Sequence, residues 1–302
     1  MTIAMCYVSP EGIVLGADST SSSSVLDGAT ATAGYHYLNF NQKLFEIGDP
    51  GTATLAVLTW GWGGFADTSH RTFLATFQES LWSSGVTSVD AAATLFATLL
   101  WSTYSTDKFI NFFKALAAKP PVDPNATPPD PMARTEDEEK LLGRLQRDFV
   151  VGFCLAGYWL PDRTPKAFVV GCSPNDTAMP VPSPIPVGNY GFFGAPNMIK
   201  RLINGSDDNL KDSILKSGKW NGTDVELVDL LNQHVLGHPT LPIRDAIDFV
   251  HSCIYSTIKG MKFSNFYQIC GGPIELAVIT TDRRFRWVRH KPWDAAIAEG
   301  EI

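Results

Sequence analysis

The order of strand-like and helix-like segments predicts an α+β fold, a four-layer αββα sandwich with two antiparallel sheets between helix layers. Three observations carry this expectation. The first 19 residues read as a β-hairpin. Amphipathic helical blocks then come in groups set between groups of strands instead of alternating with them one by one. The chain closes on a second hairpin, residues 274–280 and 285–288, turning at Asp282-Arg283.

In the opening hairpin, Ile3-Ala4-Met5-Cys6-Tyr7-Val8 is an apolar run and Pro10-Glu11-Gly12 supplies turn chemistry. Ile13-Val14-Leu15 is a β-branched return, followed by Gly16-Ala17-Asp18-Ser19. Residues 19–37, rich in Ser, Thr, Ala and Gly, read as a mobile loop able to gate a cleft. Strands are expected at 42–47 and from Thr54 to Thr59. From Thr68 to Trp82 the period is helical, with Phe73, Leu74, Phe77 and Leu81 on one face. Ser88 caps a second helix through Leu95, Phe96, Leu99 and Leu100, with a continuation through 109–116. Six prolines between Lys119 and Met132 deny both helix and ladder bonds, and a charged amphipathic helix resumes over 135–147. Residues 103–147 therefore read as an insertion into one domain that spans 1–302. Strands are expected at 149–159 and 166–171, a Pro-rich loop at 180–186, and helices at 197–204, 224–234 and 243–258.

Composition excludes several function classes. The chain has 302 residues, 44% of them hydrophobic, enough for a large core. A net charge of −7 argues against a nucleic-acid surface, which needs a basic face. The one basic cluster, Arg283-Arg284-Phe285-Arg286 with Arg289, His290 and Lys291, reads as a strand end with a solvated charged tail. No secretory signal and no apolar run long enough for a membrane span are expected. Five cysteines without CxxC spacing suggest free thiols in a reducing, cytoplasmic compartment. His234 and His238 do not form a metal pattern, because Gly237 and Pro239 break the helix there, and neither a metal nor an organic cofactor is expected. GxSxG, GxxxxGK[ST] and strand-borne GxGxxG motifs are absent.

The chemistry starts at Thr2. A small second residue usually permits removal of the initiator Met1, which would leave an α-amine and a β-hydroxyl on one residue. That amine titrates near pH 8 and sits beside the hydroxyl it must deprotonate. The hairpin returns Asp18 toward Thr2 across antiparallel strands of similar length. A lysine beside such a nucleophile raises local positive potential and lowers the pKa of the amine, and a carboxylate beside the lysine fixes its place. Lys43, in Gln42-Lys43-Leu44-Phe45-Glu46-Ile47, can take that role.

These residues resemble the proteasome β-subunit family of N-terminal-nucleophile hydrolases. That family opens with a threonine, an apolar strand, a Gly-ended turn and an apolar strand ending in an Ala-Asp-Ser element. The interval of 16 residues from Thr2 to Asp18 matches the family's. A register shifted by one would put Met1 at the nucleophile's place, where methionine cannot serve. The resemblance extends to the lysine-plus-strand element at Lys43 and to the strand and small-residue turn of 54–68. It continues more weakly through 149–157, 166–172, 194–203 and 271–281. It implies Thr2 as nucleophile, Asp18 and Lys43 as its charged support, and Gly63 as the N–H donor to the oxyanion. Gly61 and Phe65 would line the substrate pocket.

The sequence also departs from the family's pattern. Phe193-Gly194-Ala195-Pro196-Asn197 has Ala195 where the family has a serine. In Tyr267-Gln268-Ile269-Cys270-Gly271, Tyr267 and Cys270 stand in place of an aspartate and a serine. Asn197, Tyr267 or Cys270 would have to substitute. Three activities are compatible with this pattern: hydrolysis of a peptide or small amide, a lapsed site on a scaffold or binding subunit, and acyl transfer to an amine. The resemblance further implies a homo-oligomer, with rings and an unfoldase partner in view, and no nucleic-acid or membrane partner.

Overall fold

The computed structural model describes residues 2–26, 33–48, 51–122, 131–237, 239–265 and 268–291. Met1, His238, Tyr267 and the prolines at 124, 128 and 129 lie outside them. The described residues form twelve strands and eight helices, an α+β chain as expected. It divides into two compact units, Met1–Phe45 with Ile185–Ile302, and Glu46–Pro184.

The first unit is organised by a five-stranded antiparallel sheet of β1 (Ile3–Ser9), β2 (Gly12–Ala17), β10 (Tyr190–Gly194), β11 (Glu275–Thr280) and β12 (Arg283–Arg289). Their order is β10-β1-β2-β11-β12. β1 and β2 are neighbours inside the sheet, and every residue of both is buried. That explains why they read as continuous apolar runs and not as alternating strands. Helix α8 (Ile243–Lys262) packs on β1, β2 and β11 through Ala246, Val250, Cys253 and Ile254, against Met5, Tyr7, Val14 and Leu276. Gly16 permits the close approach, since a Cβ there would lie 2.7–2.8 Å from Ile254, Leu276 and Val250. The chain leading into α8 is tied to the first hairpin. Leu241 N–H donates to the Tyr7 hydroxyl (3.0 Å), and the Ser9 hydroxyl donates to the Leu241 carbonyl (3.1 Å). The unit also holds α5 (Asn197–Asn204), α6 (Asp208–Lys216) and α7 (Asp224–Asn232). Neither β10 nor α6 is anticipated by the sequence reading.

One expectation in this unit is overturned. The segment 19–37 carries β3 (Ser21–Leu26) and β4 (Ala33–Leu38), an antiparallel pair in register Ser21↔Leu38 to Leu26↔Ala33. Among the described residues the pair forms a sheet of its own, and its Ser-rich strand conceals it from pattern reading.

The second unit is built on β6 (Ala53–Gly61), β7 (Val151–Trp159) and β8 (Lys166–Cys172). They are antiparallel within a sheet of order β5-β6-β7-β8-β9, where β5 is Leu44–Ile47 and β9 is Ser183–Ile185. β9 interrupts what reads as a plain Pro-rich loop. Helix α1 (His70–Ser83) starts behind Ser69, whose side chain accepts the N–H of Thr72, and α2 (Val89–Ser105) starts at its expected Ser88 cap, which accepts the N–H of Ala91. Phe73, Phe77, Phe96 and Phe153 fill the core between helices and sheet, with ring centroids 4.9–5.9 Å apart in edge and tilted contacts.

Helix α2 does not continue through 109–116. It stops at Thr106, and Asp107 caps a new helix, α3 (Lys108–Ala118), while also accepting Ala66 N–H at 2.7 Å. A carboxylate that serves both a cap and a loop N–H makes the break there. Helix α4 (Glu136–Asp148) opens with a Thr135–Glu138 capping box and buries none of its residues. Arg134, 9% exposed, donates to the carbonyls of Ala117 and Lys119 at the end of α3. The expected insertion thus has a built connection between its two helices.

Candidate active site

Three segments of the first unit bring Thr2, Asp18 and Lys43 together. Thr2 directly precedes β1, and its carbonyl accepts Ala195 N–H at 2.7 Å where β1 pairs with β10. Gly194, opposite Ile3, has φ 83° and no room for a side chain, since a Cβ would lie 1.9 Å from the Thr2 oxygen. Asp18 leaves the end of β2, and its own N–H donates to the Ile3 carbonyl at 3.0 Å. Lys43 enters from the residue just before β5.

The Asp18 carboxylate is fully buried and accepts four hydrogen bonds. Oδ1 takes Ile3 N–H at 3.1 Å and Lys43 Nζ at 2.6 Å. Oδ2 takes Thr20 N–H at 3.2 Å and Gly271 N–H at 2.8 Å. Lys43 Nζ also donates to the Thr20 carbonyl at 2.5 Å. Because one oxygen serves both Ile3 N–H and the ammonium, Lys43 is held within one peptide of Thr2. Burial is the largest influence on both charges, raising Asp18 above the usual carboxylate range and lowering Lys43 below the usual amine range. Their mutual attraction opposes both shifts. A buried lysine with a lowered pKa is suited to proton chemistry.

The remaining expected residues are placed as follows. Cys270 precedes Gly271, is fully buried in the same core as Ile3, and has its thiol pushed up to about 12 by burial and then by the Asp18 charge. It is therefore a protonated thiol and cannot serve as a base. Asn197 is half-buried and opens α5, behind a Pro196 cap that supplies no side-chain bond. Gly61 ends β6 at φ 84°, Gly63 is exposed in the loop that follows, and both belong to the second unit. In the same unit Phe65 is 7% exposed, with its ring 5.5–5.7 Å from those of Trp62, His70 and Phe73. Among the described residues no group of three His, Cys, Asp or Glu side chains could hold a metal ion, and no helix is long and apolar enough to cross a membrane.

Sequence reasoning missed Thr20 and Gly271, which contribute only backbone groups. It also missed Glu275, His290 and Lys291. Arg283, Arg284, Arg286 and Arg289 are exposed, as a solvated tail requires, but His290 and Lys291 turn inward to the fully buried Glu275. The available signal was Glu275 itself, one carboxylate heading the apolar run Leu276-Ala277-Val278-Ile279.

No family model matches the chain, and no curated protein does. Among solved structures it is similar to Anbu from Hyphomicrobium sp. strain MC1, with 13% identity, a TM-score of 0.48, and coverage of 99% of this chain and 94% of that one. The Gly-1 mutant of Anbu from the same strain gives 11% identity and a TM-score of 0.48, covering 100% and 97%. Anbu (ancestral beta-subunit) from Yersinia bercovieri gives 12% identity and a TM-score of 0.46, covering 99% and 92%. These values correct the expectation of membership in the proteasome β-subunit family. With no family model matched and identities of 11–13%, the likeness is distant and assigns neither family nor activity. The motif spacing around Thr2 is local, whereas membership needs agreement along the chain.

Proposed function

We propose that the chain is a threonine-type N-terminal-nucleophile hydrolase that cleaves an amide bond, in a peptide or a small amide. Thr2 acts once the residue before it is removed. The observation that carries this reading is the Asp18 oxygen shared by Ile3 N–H and Lys43 Nζ, which holds a buried cation one peptide from Thr2. The cation favours the neutral α-amine of Thr2, and that amine takes the proton of the Thr2 hydroxyl as Oγ1 attacks the substrate carbonyl carbon. The tetrahedral adduct collapses with loss of the amine product, which carries off the proton from the α-ammonium and leaves an ester on Oγ1. Water attacks that ester and gives its proton to the α-amine. The C–O bond breaks, the acid leaves, and the proton returns to Oγ1. A cytoplasmic homo-oligomer remains part of this proposal.

A second reading, a lapsed site on a scaffold or binding subunit, is favoured by one observation. Thr2 is 3% exposed. Intact-mass spectra of untagged protein before and after a β-lactone electrophile separate the readings. A free Thr2 terminus that gains one adduct, absent in Thr2→Ala of unchanged circular dichroism, supports the hydrolase. A free terminus that stays unlabelled sinks it in favour of the scaffold. Native mass spectrometry of the same sample tests the homo-oligomer.

A further inference from the structure

A second buried ion pair stands on the other side of the loop that carries Asp18. Glu275 opens β11 opposite Ala17, the residue before Asp18. It is fully buried. Two side chains face it: Lys291 Nζ lies 3.4 Å from one oxygen and His290 Nε2 3.5 Å from the other. Lys291 Nζ also donates to the Asn41 carbonyl at 2.8 Å and to the Ser19 hydroxyl at 3.4 Å. The Ser19 hydroxyl in turn donates to the Pro273 carbonyl at 2.7 Å, and Asn41 N–H to the Ser19 carbonyl at 3.0 Å.

The three residues 18–20 are therefore gripped by two lysines. Lys43 holds Asp18 and Thr20, while Lys291 holds Ser19 and Asn41, two residues before Lys43. Each lysine has its own buried carboxylate. A buried carboxylate is costly unless it is paired, and each of these two has its lysine.

We propose that Glu275, paired with Lys291, is a positioning residue for Lys43: it fixes the 18–20 loop and sets the charge balance under which Lys43 holds its proton. This rests on the hydrolase reading where it concerns Thr2, and on the Lys291 contacts to Ser19 and Asn41 where it concerns Lys43. The titratable groups around Lys43 are Asp18 after β2, Cys270 before β11, Glu275 on β11 and Lys291 after β12. Glu275 raises the affinity of Lys43 for its proton, while Lys43 and Lys291 oppose each other.

The test uses two variants of opposite sign, Glu275→Gln and Lys291→Met. The titration of Lys43 is followed by the 13Cε shift of labelled lysine, assigned by its loss in Lys43→Met. Glu275→Gln should move the Lys43 midpoint down by at least about half a pH unit, and Lys291→Met should move it up by a similar amount. In Glu275→Gln the pH profile of Thr2 labelling by the β-lactone should shift in the same direction as Lys43. Generic loosening cannot produce shifts of opposite sign. Midpoints that stay put, or that both move one way, overturn the proposal. So does a Glu275→Gln labelling profile that superimposes on the wild type's. A wild-type Thr2 that is never labelled sinks the hydrolase reading instead, and the two Lys43 midpoints then decide the positioning role by themselves.

Discussion

Replacing Asp18 by alanine should be among the most damaging single changes in the first unit, and more damaging than replacing its partner Lys43 by methionine. In Asp18→Ala four donors lose their acceptor: Lys43 Nζ and the N–H groups of Ile3, Thr20 and Gly271. The lysine, 3% exposed, keeps only the Thr20 carbonyl. Leaving one member of a buried pair without its partner costs about 3–5 kcal/mol. Each orphaned buried N–H adds about 1 kcal/mol or more. A loss of at least about 5 kcal/mol is expected, a large share of the stability of an ordinary domain. In Lys43→Met the carboxylate keeps its three N–H donors and can neutralise itself by protonation, so the cost falls to about 3 kcal/mol. The double variant leaves no uncompensated charge and should be about 2 kcal/mol more stable than Asp18→Ala. Guanidinium unfolding followed by circular dichroism gives the three values, and exchange of the β1 amides confirms that the first unit is the one affected. If Lys43→Met costs as much as Asp18→Ala, or if the single costs simply add in the double variant, the account of Asp18 as the acceptor at the hub of the site is wrong.

Two further outcomes follow from groups outside that pair. His70 is 7% exposed, and burial lowers its pKa to about 4. Its Nδ1 lies 3.3 Å from the Thr59 hydroxyl, which donates to the Gly152 carbonyl, while Nε2 has no partner among the described residues. A histidine with a depressed folded pKa contributes stability at pH above 6.5 that is lost as pH falls toward about 4, up to ~3 kcal/mol in all. His70→Phe should therefore flatten the fall in stability between pH 6.5 and 4, and an unchanged slope in acid-range unfolding curves would refute this role. Gly194→Ala must move a backbone that sits at φ 83° with its Cβ site 1.9 Å from the Thr2 oxygen. A loss of at least about 2 kcal/mol in chemical denaturation is expected, together with slower labelling of Thr2. A wild-type-like Gly194→Ala would show that β10 does not fix Thr2.

Where the sequence was legible, the signals were local. Pro10-Glu11-Gly12 between two apolar runs specifies the β1–β2 turn, and Ser88 places the start of α2 by a single side-chain bond to the Ala91 N–H. The approach of Asp18 to Thr2 was legible for the same reason, since a hairpin of known length carries one end back to the other. The sequence by itself determined the hairpin, the cap of α2, the α+β class and the pairing of a carboxylate with the first strand.

The tertiary structure alone decided the rest. Ser19 meets Pro273 across 254 residues, and Lys291 meets Ser19 across 272. No periodicity encodes such encounters, because they depend on which strands neighbour each other in the sheet and not on what any segment prefers. The order β10-β1-β2-β11-β12 sets Glu275 beside Ala17 and, through the return of β12, turns His290 and Lys291 from a charged tail into partners of a buried carboxylate. Strand order is selected by how much apolar surface the whole sheet buries beneath α8, a sum over segments far apart in the chain, so the second ion pair is decided only when the sheet closes.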